Sequence, residues 1–399
     1  MATALAAVAL ACLTVSAVSA TSKTATPKTA AGTKKPVATT VSTKKTTSTK
    51  KTTATKKAAT TTNAVAVTTT IVTSANTQPG ALSADTTPAI VTATNAFLST
   101  LTAEQKKAVQ FDFSNTAQRQ KWSNLPEGIF TRSGVMWGNL SEPSKAAWLT
   151  VMKTTLSQEG YTRVLAEWDG DDALAKTGGG GGLMFGKQYY WIAVIGVPSA
   201  TAKWQWQWGG HHVTVNATIA GTEMSLTPSF IGVQPATFKD ATGKDVRPLG
   251  DIETEAFTLV NSLDAAEKGK AIIGSSVIDL ILGPGADGKA VAKEGLKGAD
   301  MTAEQKAAML QLLSHYGGLV NAEDAAARMA DLKANLDQTY FAWSGPITKG
   351  SGIYFRLAGP TIVAEYSGQR MGGDESQHIH GIYRDPTNDY GAKIGAGLS

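Results

Sequence analysis

Cysteine is almost missing from this chain: of 399 residues only Cys12 carries a thiol, and it lies in an apolar N-terminal stretch. Beyond that stretch a disulfide framework, a thiolate zinc site and a cysteine nucleophile are all excluded. Acidic residues are absent before Asp85, and histidine is scarce at five residues. No P-loop, no G-x-S-x-G elbow and no H-E-x-x-H helix occurs, so those phosphate-binding, serine-hydrolase and metalloprotease templates do not apply. The N-terminal apolar run is broken by Thr and Ser, which makes it too weak for a membrane span.

That run, Met1–Ala20, ends in Val18-Ser19-Ala20 before a polar stretch. It reads as a secretory signal peptide with a small-residue cleavage site, which predicts a secreted protein, or one of the periplasm or cell envelope. Acylation at Cys12, which follows Leu10-Ala11, is the alternative. Residues 21–84 are rich in Thr, Lys and Ala, with too few large apolar side chains to offset the entropy of ordering, and are expected to be a disordered linker. A spacer role, adhesion of the basic tail to an anionic envelope surface, and glycosylation of its threonines all fit that composition. Ten lysines lie between Lys23 and Lys57; setting them aside leaves 27 basic against 32 acidic residues, so the remainder is near −5. A nucleic-acid-binding fold carries its basic patch on the folded part, so no specific nucleic acid is expected as partner.

Residues 85–399 read as one large α+β domain. Apolar spacing predicts helices over Pro88–Leu101, Glu253–Leu263 and Ala265–Ile273. Thr102-Ala103-Glu104-Gln105 has the form of a capping box and returns as Thr302-Ala303-Glu304-Gln305. Lys145–Leu149 resembles Lys306–Leu310, and Tyr189-Tyr190-Trp191 resembles Tyr340-Phe341-Ala342-Trp343. Trp204–Val215 and Ile353–Val363 both alternate like strands around a glycine. These matches predict an internal duplication, with similar helix-plus-antiparallel-strand halves at roughly 141–223 and 302–369. Gly178–Gly182 reads as a slack surface loop rather than a lid hinge. Asp169-Gly170-Asp171-Asp172 reads as a solvated acidic turn, since it lacks calcium-loop spacing.

Two motifs carry chemistry. In KWQWQWGGHHVTVN, Lys203–Asn216, three tryptophans alternate with glutamine before Gly209-Gly210 and the pair His211-His212. In HIHGIYRDPTNDYG, His378 and His380 are spaced i, i+2, so an extended segment turns both imidazoles to one side. Together these hold four of the five histidines. His211 and His212 would face opposite ways on a regular strand. The expected site is therefore His378, His380 and one of the first pair, with Glu223 or Glu365 able to complete it. Imidazole and carboxylate without sulfur suit Zn, Cu, Fe or Mn and do not select among them. Hydrogen-bonded packing of the same histidines is the competing reading. Asp385 or Asp389 is the expected proton carrier and Arg384 the anchor of an anionic group. Trp208, Glu223, Arg356, Glu365, Asn388 and Tyr390 are the candidate substrate contacts. Trp204, Trp206 and Trp208 are expected mainly as core where the halves pack, and His315 as an ordinary helix-end residue.

The string WQWQWGGHHVTVN, with TPSFIGVQPA at Thr227–Ala236, YFRLAGPTIVAEY at Tyr354–Tyr366 and HIHGIYRDPTNDYG at His378–Gly391, resembles domain of unknown function 3500. The resemblance spans about Asp85 to Ala392. It implies a secreted or envelope location and these site residues, but no activity. Family members carry an acidic residue and one glycine before the histidine pair, where this chain has Gly209-Gly210. The functional expectation is a metal-dependent hydrolase acting on a small molecule or an extracellular polymer. The alternative is a non-catalytic envelope module that binds a polymer or scavenges metal.

Overall fold

The computed structural model describes residues 86–177, 183–371 and 373–395. The expected signal peptide, the lysine-rich linker and the pentaglycine run lie outside the described residues.

Eight strands form the body of the sheet: β1 (Trp191–Ile195), β2 (Trp204–Gly209), β3 (Thr214–Ala220), β4 (Ser229–Val233), β5 (Tyr340–Ser344), β6 (Tyr354–Ala358), β7 (Val363–Gly368) and β8 (Ile379–Arg384). Their spatial order is β1-β2-β3-β4-β8-β7-β6-β5, antiparallel throughout. Each group of four is a meander, and the two meanders meet at their last strands. Short parallel strands, Gln110–Phe111 beside β1 and Ile272–Gly274 beside β5, make the thirteen-stranded sheet mixed. The β4–β8 contact is continuous from Ser229↔Tyr383 to Val233↔Ile379. By contrast, β3 meets β4 only at Thr214↔Phe230, because the β2–β3 connection turns away there. The sheet is therefore split next to the junction.

Nine α-helices occur among the described residues, and the six longest are α1 (Thr86–Ser99), α2 (Glu142–Thr155), α3 (Gln158–Lys176), α4 (Gly250–Ser262), α5 (Ala303–Gly317) and α6 (Ala322–Ala334). Both predicted capping boxes form, with Thr102 and Thr302 accepting from the backbone of Gln105 and Gln305. They open different elements, however. Thr102 starts the short helix Ala103–Val109, and Thr302 starts α5, whose place in the first half is taken by α2 behind the N-cap Ser141. A helix pair, a short strand, a second helix pair and a four-strand meander follow one another in both Thr86–Val233 and Gly250–Arg384, although the first also holds the helix Thr116–Arg119 and the strand Glu223–Ser225.

Period-2 alternation gives the sheet two unlike faces. Trp204, Trp206 and Trp208 are fully buried on the helix side. Trp206 meets Trp148 of α2 edge-on at 5.5 Å between centroids, and Trp208 meets Trp168 of α3 at 5.1 Å. The tryptophans are core, but within the first half rather than between the halves as expected. The intervening positions are polar yet also buried: Gln205, Gln207, Asn216, Thr218, Arg356, Glu365 and Arg384. Loops seal this second face. Arg119 reaches Gln205, the amides of Ile281 and Leu282 reach Glu365, and Trp122, Leu282, Ala286 and Tyr390 form a small apolar cluster over it.

Candidate metal centre

The split beside the junction is where the histidines meet. His378 and His380 flank Ile379 at the start of β8, so Ile379 turns into the helix-side core and both imidazoles turn to the loop side. Opposite His380 stands Gly232 of β4, and a β-carbon added there would lie 2.8 Å from the Ile379 carbonyl oxygen and 3.0 Å from that of His212. Only glycine lets the β2–β3 connection approach this closely. That connection also needs Gly210, where a β-carbon would meet the Tyr190 ring at 2.6 Å. Close approach is thus required at both Gly209 and Gly210. The bend itself falls on His212, whose φ of 69° is left-handed, a region that costs a non-glycine residue free energy and recurs at functional sites.

The bend sends the two adjacent histidines in different directions. His212 Nε2 lies 2.8 Å from His378 Nε2, which lies 3.0 Å from His380 Nε2. His211 Nδ1 instead binds Asp171 Oδ1 at 2.6 Å, while the Tyr190 hydroxyl donates to the His211 carbonyl. Of the first pair, then, His212 joins His378 and His380, and each of the three offers a ring nitrogen within 4.8 Å of the others. His212 is fully buried, His378 nearly so and His380 half-buried. Burial, reinforced by the neighbouring imidazoles, holds His212 and His380 well below the usual histidine range and His378 below it, so all three are neutral.

Neutrality makes the proton count informative. His378 Nδ1 donates to the Met371 carbonyl at 2.6 Å, because a carbonyl can only accept, and this leaves a lone pair on Nε2. Both neighbouring Nε2 atoms then have to donate to that single lone pair. His212 in that tautomer would turn a bare Nδ1 toward Asp171 Oδ1, 3.8 Å away, and this buried Nδ1 has no hydrogen-bond partner. A cation at the convergence of the three Nε2 atoms removes both conflicts: the lone pairs face it, and His212 Nδ1 carries a proton toward a carboxylate. The residues present fit a transition metal ion by this test. Asp171, His211 and His212 form a second group with ligand atoms within 4.8 Å.

Asp171 corrects the reading of an exposed acidic turn. It lies in α3, nearly inaccessible, and its second oxygen accepts from the Gly186 amide at 3.3 Å. Arg163, Glu167 and Asp171 follow at i, i+4 and i+8 along the buried side of that helix. Glu167 accepts from the Gly232 amide at 3.2 Å, directly behind the cluster, and burial pushes its carboxyl up to about 7 against the pull of Arg163. The signal for Asp171 was the four-residue spacing within one helix; the run of acids and Gly170 disguised it. Asn124, also unforeseen, places Nδ2 3.4 Å from His380 Nδ1.

The other predicted residues are engaged away from this centre. Arg384 stands four residues along β8 from His380, roughly 13 Å at strand spacing. Its guanidinium binds Asp389 at 2.8 Å, Asp287 at 2.9 Å and the Leu282 carbonyl at 2.8 Å. Asp389 also accepts from the Asp385 amide, while Asp385 accepts from Thr387 and Arg328. The structure does not bring these three expected catalytic residues to the histidines: Arg384 pairs with Asp389 and Asp287, and Asp385 with Arg328. Glu365 binds the Tyr354 hydroxyl and two backbone amides, and Arg356 binds Glu294 at 2.8 Å and the same Tyr354 hydroxyl. Glu223 is exposed and accepts from the Gly395 amide. Neither glutamate completes the cluster. Trp208 is sealed in the core, Asn388 accepts from the Lys393 amide, and Tyr390 bonds Trp122 and Asp287. His315 ends α5 as expected but is buried, with Nε2 2.9 Å from Glu255.

The fold and site define a mixed α+β protein with a buried histidine cluster able to hold a metal ion. The chain belongs to the family described as a protein of unknown function (DUF3500), whose model matches residues 83–392. No curated protein and no solved structure matches it.

Proposed function

We propose that His212, His378 and His380 hold one divalent transition metal ion and that the protein is a metal-dependent hydrolase. The observation that carries the reading is the convergence of three neutral Nε2 atoms from both halves of the sheet, 2.8 and 3.0 Å apart. Three protein ligands leave a tetrahedral ion one open position, the arrangement of catalytic rather than structural zinc sites. An ion there would polarise a carbonyl or phosphoryl oxygen and lower the pKa of water. Of the chain's own groups, the Met371 carbonyl fixes the tautomer of His378, and Asp171 is the carboxylate that faces His212 Nδ1, 3.8 Å away. Asn124 stands beside His380, where its amide can hold a polar substrate group. Zinc, copper, iron and manganese all suit the donors.

Protein purified without a histidine tag should carry close to one equivalent of metal, read by elemental analysis, and His380→Ala should lose it. Absence of every transition metal from wild-type protein, even after incubation with zinc, removes the proposal. A second reading, metal scavenging without catalysis, draws on Asp171 and His211 standing ready to extend the donor set. Two equivalents of metal and no affinity for a small hydroxamate would favour it. Export through Met1–Ala20 and descent of the halves from a duplication are part of the same proposal. N-terminal sequencing of the mature protein tests the first, and superposition of Thr86–Val233 on Gly250–Arg384 tests the second.

A further inference from the structure

Among the described residues six large apolar side chains are exposed: Leu125, Ile129, Val197, Ile278, Ile281 and Met371. Scattered exposed apolar residues are normal on any protein. These are not scattered, because all but Val197 lie on three segments tied to the histidine cluster. Leu125 follows Asn124, whose side chain is 3.4 Å from His380. Met371, 78 % exposed, gives its carbonyl to His378. The Ile278 carbonyl accepts from Ser367, the residue paired with His380 across β7 and β8, and Ile281 follows three residues later. Gln369 links the last two segments, binding the His378 carbonyl through its amide and Asp279 through its side chain. Apolar side chains grouped at the rim of a polar site mark where a ligand's apolar part lies.

We propose that the substrate of this site is amphiphilic, a hydrolysable polar head carrying an aliphatic chain that lies across Leu125, Ile278 and Met371. The inference rests on the metal reading of the preceding section for the head group, and on the rim alone for the chain. Met371 suits this surface, since its unbranched, polarisable side chain adapts to a flexible partner. The half-buried His380 and Asn124 receive the polar end, so one ligand spans both chemistries.

Binding of acetohydroxamate and octanohydroxamate to zinc-loaded full-length protein, measured by calorimetry, tests this. Each methylene fully buried tightens binding about fourfold, so even partial coverage of the longer chain gives a tenfold or greater preference for octanohydroxamate. A Leu125→Ser, Ile278→Ser double variant, changed only at exposed positions, should lose most of that preference while keeping its affinity for acetohydroxamate. Equal affinities in wild type, or a preference unchanged in the variant, overturn the inference and leave the metal centre standing. If zinc binds but neither hydroxamate does, the open position is lost and the head-group half of this proposal with it. If no zinc binds, octanoate against acetate on the same two proteins reads the rim alone, and equal binding overturns it.

Discussion

At the scale of single residues the centre depends on which nitrogen carries a proton. His378 is locked by a carbonyl, His212 is locked by nothing, and the one carboxylate facing its Nδ1 is Asp171 at 3.8 Å. Asp171→Asn removes the charge that favours an Nδ1 proton, and outer carboxylates of this kind are worth about 10–100-fold in metal affinity. Chelator competition should show a loss of that size with the near-ultraviolet signal of the fold retained. The three neutral imidazoles also set an acid limit. Below the ordinary histidine pKa of 6.5 the unfolded chain takes up protons that buried His212, His378 and His380 refuse. Their contribution to the stability of the metal-free protein is therefore full above that value and is lost as pH drops below it, while buried Glu167, pushed up to about 7, contributes the opposite slope. The fall in urea midpoint with EDTA from about pH 7.5 to about pH 5 should be larger in wild type than in His380→Gln, which leaves the carboxylates in place, and equal profiles would contradict neutral burial.

At the scale of elements, the decisive feature is the place where β3 stops pairing with β4. The β2–β3 connection passes close to Gly232, and the two nearest neighbours of a β-carbon there are backbone carbonyl oxygens, of Ile379 and His212, rather than side chains that can swing away. Gly232→Ala should cost about 1–3 kcal/mol in urea denaturation and weaken metal binding with it, because relief comes only by moving β8 or His212. A stable variant with full affinity would mean the approach is looser than described. The same scale explains what the sequence missed. The i, i+2 spacing of His378 and His380 was legible because strand geometry is local. Asp171 was not, because acidic residues around a glycine look alike in a turn and in a helix; the partners that decide, His211 and the Gly186 amide, come from packing. Arg384, Asp385 and Asp389 looked catalytic for the converse reason. Charged residues beside a histidine motif attract attention, but a strand carries Arg384 away from His380 at about 3.4 Å per residue.

For the whole molecule, the ligands come from residues 166 positions apart, on the β2–β3 connection of one half and at the start of β8 in the other. An ion that binds only the folded arrangement stabilises all of it, by about 2.7 kcal/mol at a hundredfold excess over Kd. Zinc should raise the Tm of the full chain, EDTA should reverse the rise, and His378→Ala should show neither. A Tm indifferent to metal in wild type would disconnect the cluster from the fold.

The amino-acid order by itself determined the helices with their capping boxes, the alternating strands, the kinship with the family and the four histidines, since each of these is written in residues close in sequence. Tertiary structure decided the rest: that the tryptophans pack inside one half, that the acids after β8 pair with Arg384 and Arg328, and that His212 rather than His211 meets His378. Those outcomes depend on where β4 and β8 join and on a left-handed bend at one buried residue. Contacts between distant segments choose among conformations that local chemistry leaves nearly equal in energy.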